Sequence, residues 1–301
     1  MLVQDLKMYI NTSVKSGFDY LLGILFKWSF ARYIKSVAVI TVLHVEDLDN
    51  DQHFENVVEY AEHYYKVTGN RTLAAVMTPL SPILMRRLEV SGFSPSVYQK
   101  RIGALSSVSE IGLHGHFVNR LDEISMWPMH EAFFDLKKIK KQLFLETEWL
   151  EANSFFSGDC RFYSGGWWFS NRELRYLLRN LGYSFDFTLS SNKFNSTPFS
   201  TRFKNALRMG KLVVSEDGLT SCNALCSIAK NNRPLATLNK LVAASISSNS
   251  PVFSLYSHDY DLDLCEAKKS LSALVAYGVK FIDSAGLAGL GARACCKELF
   301  L

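Results

Sequence analysis

The chain has 301 residues, of which 48% are hydrophobic and 21% are charged. This composition is typical of a globular protein and excludes a disordered tail, a collagen-like fibre and a coiled coil. The formal net charge is only +4, too slight an excess for a chain of this length to predict a nucleic-acid-binding protein. The six cysteines have neither the density of a disulfide framework nor the spacing of a zinc ribbon, so we expect reduced thiols in a cytoplasmic protein.

The first 36 residues are expected to form a helical extension of their own. Residues 18–34 are rich in apolar side chains, but Asp19, Lys27 and Arg32 interrupt the run. It is too short and too charged to cross about 30 Å of hydrocarbon, and it lacks the pattern of a signal peptide. We therefore expect no transmembrane anchor. A helix packed on the domain and a helix lying in the membrane interface are both left open.

Strands and helices alternate along residues 37–301. The run VAVITVLHV at 37–45 is continuous, apolar and β-branched, which is typical of a strand buried on both faces of a parallel sheet. Further strands are predicted at 73–77, 110–113, 211–215, 251–257 and 279–282. Helices are predicted at 54–65, 83–90, 132–150, 172–181, 234–246 and 262–277, and a loop between 90 and 110.

Repeated strand–helix units predict an α/β fold with a parallel sheet in one domain. Seven or eight strands, with no GxGxxG after the first of them, favour a (β/α) barrel. The run GLAGLG at 286–291 follows the last strand and is not taken as a phosphate loop. The predicted helix at 132–150 has a basic face that is expected to be solvated, formed by Lys137, Lys138, Lys140 and Lys141.

Carboxylates and histidines follow three of the predicted strands, at Glu46, Asp47, His114, His116, His258 and Asp259. In such barrels the reactive groups lie at the carboxyl ends of the strands. A strand places residues i and i+2 on the same side, so His114 and His116 can converge on one cation, with Asp47 as a third ligand. This ligand set suits zinc or another first-row divalent metal. The competing interpretation is that the histidines only form hydrogen bonds or pack.

Four short motifs occur in order along residues 37–283. Glu46-Asp47 ends the first strand, and EIGLHG spans 110–115. FYSGGW at 162–167 leads through a helix to GYSFD at 182–186, and His258-Asp259 ends a later strand. In this order the motifs resemble the polysaccharide deacetylases, a carbohydrate esterase superfamily, and in particular its divergent bacterial members associated with surface-polysaccharide gene clusters. The resemblance implies a distorted (β/α) barrel of seven or eight strands.

The sequence departs from the family pattern in three places. The family's second metal histidine lies four residues after the first, where this chain has Val118, so His116 takes its place. The first carboxylate, normally an aspartate that acts as the base, is Glu46 here. The arginine expected before the Ser-Gly-Gly turn is Tyr163, and Arg161 lies two residues earlier.

The resemblance implies a metal-dependent N-deacetylase that holds one divalent ion, zinc ahead of cobalt, manganese or nickel. In this scheme Asp47, His114 and His116 hold the metal. Glu46 is the general base, and His258, oriented by Asp259, protonates the leaving amine. The residues implied in substrate binding are Arg161, Tyr163, Gly165, Gly166, Trp167 and Asp186.

The expected partner is an N-acylated sugar or a nucleotide- or lipid-linked saccharide, without nucleic acid and with peripheral membrane contact left open. Two other interpretations remain. One is a barrel that binds carbohydrate without turnover. The other is an amidohydrolase-type C–N hydrolase, in which the His-x-His pair would end the first strand, whereas that strand carries Glu46-Asp47 here.

Overall fold

We describe the protein from a computed structural model. The described residues are 37–117, 136–156, 160–166, 170, 172–188, 212–214, 218–222, 224–228, 237, 241 and 252–297. The predicted extension over 1–36, Val118, Trp167 and most of the predicted helix at 234–246 lie outside them.

Eleven strands form one sheet in the described part of the chain. They are β1 (Ala38–Val45), β2 (Thr72–Val76), β3 (Ser109–Gly115), β4 (Arg161–Gly165), β5 (Tyr183–Asp186), β6 (Leu212–Val214), β7 (Thr220–Ser221), β8 (Ala224–Ser227), β9 (Val252–His258), β10 (Lys280–Phe281) and β11 (Cys295–Lys297).

The described helices alternate with these strands. They are α1 (Asp51–Thr68), α2 (Pro82–Ser91), α3 (Pro95–Ser106), α4 (Leu136–Ala152), α5 (Arg172–Asn180), α6 (Leu264–Ala276) and α7 (Ser284–Ala294). A single 3-10 turn, Asp259–Asp261, follows β9. Among these helices, none has both the length and the hydrophobicity needed to cross a bilayer.

The sheet closes into a barrel. Its central order is β8-β9-β1-β2-β3-β4-β5-β7, with every pair of neighbours parallel. β7 pairs with β5 and β8 pairs with β9, and only two residues separate β7 from β8 in the chain. These two short strands therefore occupy one position and complete a ring of seven. The predicted distorted (β/α) barrel is confirmed.

Two hydrophobic clusters lie on the two sides of the barrel wall. The larger one joins strand residues such as Val39 and Leu113 to helix residues such as Tyr60 and Leu143, so it lies between the sheet and the helices. The smaller one contains Ile40, Val42, Phe162 and other strand residues and fills the barrel interior. Because side chains alternate along a strand, every second residue of β1, β3, β4 and β9 points into the barrel.

The fold differs from the sequence prediction between residues 90 and 110, where helix α3 replaces the expected loop. The helix begins with Pro95 at its first turn, and it buries Tyr98, Ile102 and Leu105. These three residues follow a helical spacing, and their burial stabilises the helix despite Gly103. The GLAGLG run also lies in a helix, α7, where Leu287 packs into the barrel interior.

Candidate active site

The candidate site lies where four barrel strands end. Ile40 and Val42 point into the barrel, so His44 and then Glu46 continue the same side at the end of β1. The sheet register places His44 beside His258 of β9. It also places His114 of β3 beside Ser164 of β4. The inward side of each strand therefore ends in a polar side chain at the carboxyl edge, where barrel enzymes carry out their chemistry.

Glu46, His114 and His116 form a compact cluster. His114 Nε2 lies 2.9 Å from His116 Nε2 and 3.1 Å from Glu46 Oε1. His116 Nε2 lies 3.5 Å from the same Glu46 oxygen. One ligand atom from each residue falls within 4.8 Å of the other two, and both imidazoles are buried. Two imidazole nitrogens and one carboxylate oxygen form a donor set that suits zinc and related divalent ions.

The hydrogen bonds of this cluster determine which nitrogen of His114 carries its proton. His114 Nδ1 lies 2.8 Å from the Ser164 carbonyl oxygen, which only accepts, so Nδ1 carries the proton. Burial lowers the pKa of His114, and its Nε2 then presents a lone pair to Glu46 and His116. Burial acts to raise the pKa of Glu46, but the charge on His116 and the hydrogen bonds of both histidines hold that pKa well below its ordinary value. His114 Nε2, His116 Nε2 and Glu46 Oε1 lie so close together that their lone pairs would repel one another unless the atoms share a proton or bind a metal ion.

The position of His116 depends on its neighbours in β4 and α4. A Cβ atom at Gly166 would overlap the His116 ring, so only glycine allows the ring to lie there. Gln142 Nε2 donates to the His116 carbonyl at 3.1 Å and to Glu146 Oε1 at 2.7 Å. Glu146 is fully buried, and burial raises its pKa to about 8.

His258 borders the cluster from β9. Its Nε2 lies 3.8 Å from Glu46 Oε1 and 3.3 Å from Nδ1 of His44. The ring stacks on Tyr260 with centroids 4.8 Å apart. His44 in turn contacts the Ser164 hydroxyl at 2.9 Å, and burial is the main cause that lowers the pKa of His44 well below its ordinary value.

Asp47 lies outside the cluster, so the structure differs here from the predicted ligand set. Arg87 of α2 donates to Asp47 Oδ1 at 2.5 Å and to Asp49 Oδ1 at 2.7 Å, and it also contacts the Glu46 carbonyl. His53 of α1 lies 3.5 Å from Asp47. The reason is the strand alternation: if Glu46 points into the barrel, the next residue points toward the surrounding helices.

Asp259 binds backbone rather than the His258 ring. Its Oδ2 accepts from the amides of Glu46 and Asp47 at 2.9 and 2.6 Å, and its Oδ1 accepts from the amide of Tyr260 at 3.0 Å. Burial raises the pKa of Asp259 to about 8, against the effect of the amide donors. Besides Glu46, the carboxylate next to the His258 ring is Asp261, with 3.9 Å between Asp261 Oδ2 and His258 Nδ1.

The predicted substrate residues are spread over both ends of β4. Arg161 begins β4 at the far end of the barrel, where it pairs with Glu151 and donates to the Leu181 carbonyl. Tyr163 is fully buried between the sheet and the helices. Gly165 and Asp186 lie near the carboxyl edge. The Gly165 amide donates to Thr188 Oγ1, and Asp186 accepts from Ser170 and the Thr188 amide.

Sequence reasoning gave no role to His44, Ser164 or Arg87. The sequence could have indicated a role for His44. It lies two residues before Glu46, and therefore the two side chains face the same side of the strand. Ser164 acts through its backbone carbonyl as well as its hydroxyl, which no sequence pattern reveals. Arg87 comes from a different helix, and only the packing of α2 against the end of β1 places it beside Asp47.

No protein-family model and no curated protein sequence matches the chain. Among solved structures, it is similar to a proposed polysaccharide deacetylase from Mycobacterium smegmatis, with a TM-score of 0.56 and 14% identity over 89% of this chain and 94% of that chain. It is also similar to the 4-alpha-glucanotransferase from Thermococcus litoralis, with a TM-score of 0.50 and 13% identity over 87% of this chain and 41% of that one.

The resemblance to polysaccharide deacetylases that the motifs predicted is therefore confirmed in the fold. The glucanotransferase has a comparable barrel with a different named activity. Since one fold hosts several chemistries, the activity of this chain has to be argued from its site.

Proposed function

We propose that this chain is a metal-dependent hydrolase that removes the acetyl group from an N-acetylated sugar. One observation carries the proposal. The Glu46–His114–His116 cluster lies at the carboxyl edge of a deacetylase-like barrel, with His258 beside it. A set of acceptor atoms next to a further histidine is what metal-assisted amide hydrolysis requires.

In this proposal Glu46, His114 and His116 hold one divalent metal, with zinc as the first choice. Such an ion, when bound, polarises an amide carbonyl and lowers the pKa of water toward about 7. Ser164 fixes the His114 tautomer through its carbonyl, and Gly166 leaves room for His116. These contacts orient the two nitrogens toward the same point as the Glu46 oxygen.

We assign the proton transfers to His258. Water adds its oxygen to the acetyl carbon, the C–N bond breaks, and the products are acetate and a free amine. The amine leaves only after its nitrogen gains a proton, and His258 takes that proton from the attacking water and delivers it to the nitrogen. Stacking on Tyr260 and the contact with His44 hold the imidazole at the edge of the cluster.

Two roles implied by the family resemblance change with the geometry. Glu46, expected as the general base, becomes a metal ligand because its oxygen lies within 3.5 Å of both imidazole nitrogens. Asp47, expected as a ligand, binds Arg87, and Asp259 holds the backbone of the segment that carries Glu46.

Acetate release tests the proposal. The purified chain, supplied with zinc, cobalt, manganese or nickel, is incubated with a panel of N-acetylated monosaccharides, nucleotide sugars and oligosaccharides. We expect acetate from at least one of them, and a loss of at least about 100-fold in rate for His258→Gln. Lys100→Gln, on the exposed side of α3, is the matched control and keeps the full rate. No acetate from any substrate, or equal rates for both variants, would contradict the proposal.

A further inference from the structure

Helices α4 and α5 form a strongly basic surface. The first ten residues of α4 contain four lysines and no acidic residue, and all four lysines are exposed. α5 adds three arginines and one glutamate in its nine residues. The basic residues are Lys137, Lys138, Lys140, Lys141, Arg172, Arg175 and Arg179. Seven of the chain's 33 lysines and arginines therefore lie on two adjacent helices, and we call their exposed faces the α4–α5 surface.

Exposed apolar side chains lie among these charges. The side chain of Tyr176 is 57% exposed and that of Phe144 is 45% exposed, and Leu136 is similarly open. Lys137, Lys140 and Phe144 follow each other at intervals of three and four residues, so they share one face of α4. Large apolar side chains on a charged helix face are costly in water and mark a contact surface.

A groove of about 440 Å³ runs between the two helices. Leu136, Tyr176 and Leu177 contribute apolar surface to it. Lys137, Lys140 and Arg172 contribute positive charge against one negative charge from Glu173. The groove thus offers room for a hydrocarbon segment beside positions for an anionic group.

The groove lies between the first turns of α4 and α5, at the same end of the barrel as the candidate active site. Gln142 contacts the carbonyl of His116 at the end of β3, and α4 leads from that edge to the start of β4. Leu136 precedes Gln142 by six residues, so it lies about 9 Å further along the helix axis, beyond the edge of the sheet. α5 begins just after Ser170, whose hydroxyl donates to Asp186 at the carboxyl end of β5.

We propose that the α4–α5 surface docks on a membrane containing anionic phospholipid. Lysine and arginine side chains are attracted to anionic headgroups, and leucine, phenylalanine and tyrosine side chains enter the boundary between headgroups and acyl chains. Nucleic acid or an acidic polysaccharide would engage the cations but leave Phe144 and Tyr176 in water. A second copy of the chain would bring the same cations face to face.

Docking through this surface would place the side of the barrel on the lipid, with the first turns of α4 and α5 at the carboxyl edge. The Glu46–His114–His116 cluster would then lie at the barrel end next to the docked groove. The docking proposal does not depend on the deacetylase proposal, because it rests on charges and apolar side chains outside that cluster.

Vesicle co-sedimentation tests the docking. The full chain is mixed with vesicles of phosphatidylcholine alone, or with roughly one-third phosphatidylglycerol, and the bound fraction is measured. We expect binding only with phosphatidylglycerol. At about 1 kcal/mol per basic residue, the double variant Lys137→Gln, Lys140→Gln should bind about 30-fold more weakly. The pair Phe144→Ser, Tyr176→Ser should also bind more weakly.

The matched control is the double variant Lys66→Gln, Lys100→Gln, which removes the same charge from exposed positions on α1 and α3. It should bind like the unaltered chain. Three results would overturn the proposal. They are an equal loss of vesicle binding in both lysine double variants, equal binding to both kinds of vesicle, and unchanged binding by the Phe144→Ser, Tyr176→Ser variant. Displacement of the chain by millimolar inorganic phosphate or by an acidic polysaccharide would also overturn it, because the surface would then recognise a free anion.

Discussion

At the scale of single residues, neighbouring positions in the chain have opposite environments. Glu46 joins two histidines inside the barrel, and Asp47 binds Arg87 outside it. Burial raises the pKa of Asp47, with Arg87 opposing that effect, whereas the histidines hold the pKa of Glu46 low. The two carboxylates therefore have different electrostatic partners, and we assign the metal to the inner one.

Gly166 provides a test of how closely His116 is held. Gly166→Ala places a Cβ atom into the His116 ring, so the ring must move away from His114 and Glu46. We expect zinc affinity to fall about 10- to 100-fold, the usual cost of disturbing the residues that orient a metal ligand. Competition with a chelator measures the affinity.

The matched control is Gly103→Ala in α3, where the added Cβ meets only Phe155, at an ordinary contact distance of 3.8 Å. That change should stabilise the helix by up to about 1 kcal/mol and leave zinc affinity as it is. Equal zinc affinity for Gly166→Ala and the unaltered chain would show that His116 does not bind the metal in the position described.

At the scale of elements, α4 carries a buried acid that supports the site. Glu146 accepts from Gln142, which also holds the carbonyl of His116. Burial raises the pKa of Glu146 to about 8. A carboxyl group whose pKa is higher in the folded state than in the unfolded state, where it is about 4.3, stabilises the fold fully at low pH and loses that contribution as the pH rises toward 8.

Glu146→Gln should therefore flatten the pH dependence of stability. We expect the free energy of unfolding to fall less for Glu146→Gln than for the unaltered chain between about pH 4.5 and about pH 8. Urea unfolding at several pH values measures this. Glu148→Gln, an exposed position two residues further along α4, should keep the original slope. Identical slopes for all three proteins would contradict a neutral buried Glu146.

The elements show what the sequence could predict and what it could not. β1 and β9 were predicted within one or two residues because their apolar runs are long and uninterrupted. The convergence of His114 and His116 followed from the two-residue repeat of a strand. Helix α3 was missed because Pro95 and Gly103 are typical of loops, although the burial of Tyr98, Ile102 and Leu105 stabilises it.

Contacts between elements that are distant in the chain could not be predicted from the sequence. Nothing in the order of residues shows that Arg87 of α2 meets the end of β1, or that Asp259 caps the backbone of the same segment. These contacts decide which carboxylate faces the histidines. The placement of Glu46 rather than Asp47 beside the histidines therefore needs the structure, whereas the gathering of polar residues at this edge does not.

At the scale of the whole molecule, a seven-membered ring of parallel strands brings together residues more than 200 positions apart. Glu46 and His258 follow neighbouring strands of the ring, and the groove between α4 and α5 lies at the same end. The fold is shared with structures only 13–14% identical that carry different named activities, so the fold alone does not identify the activity of this chain.

The most direct test of the account is the metal content of the purified chain, measured by inductively coupled plasma mass spectrometry after reconstitution with zinc. We predict about one ion per chain, retained in Asp47→Asn and lost in Glu46→Gln, His114→Ala and His116→Ala. Circular dichroism establishes that each variant is folded. Metal retained in Glu46→Gln but lost in Asp47→Asn, or no metal in the unaltered chain, would contradict the assignment of the site to Glu46, His114 and His116.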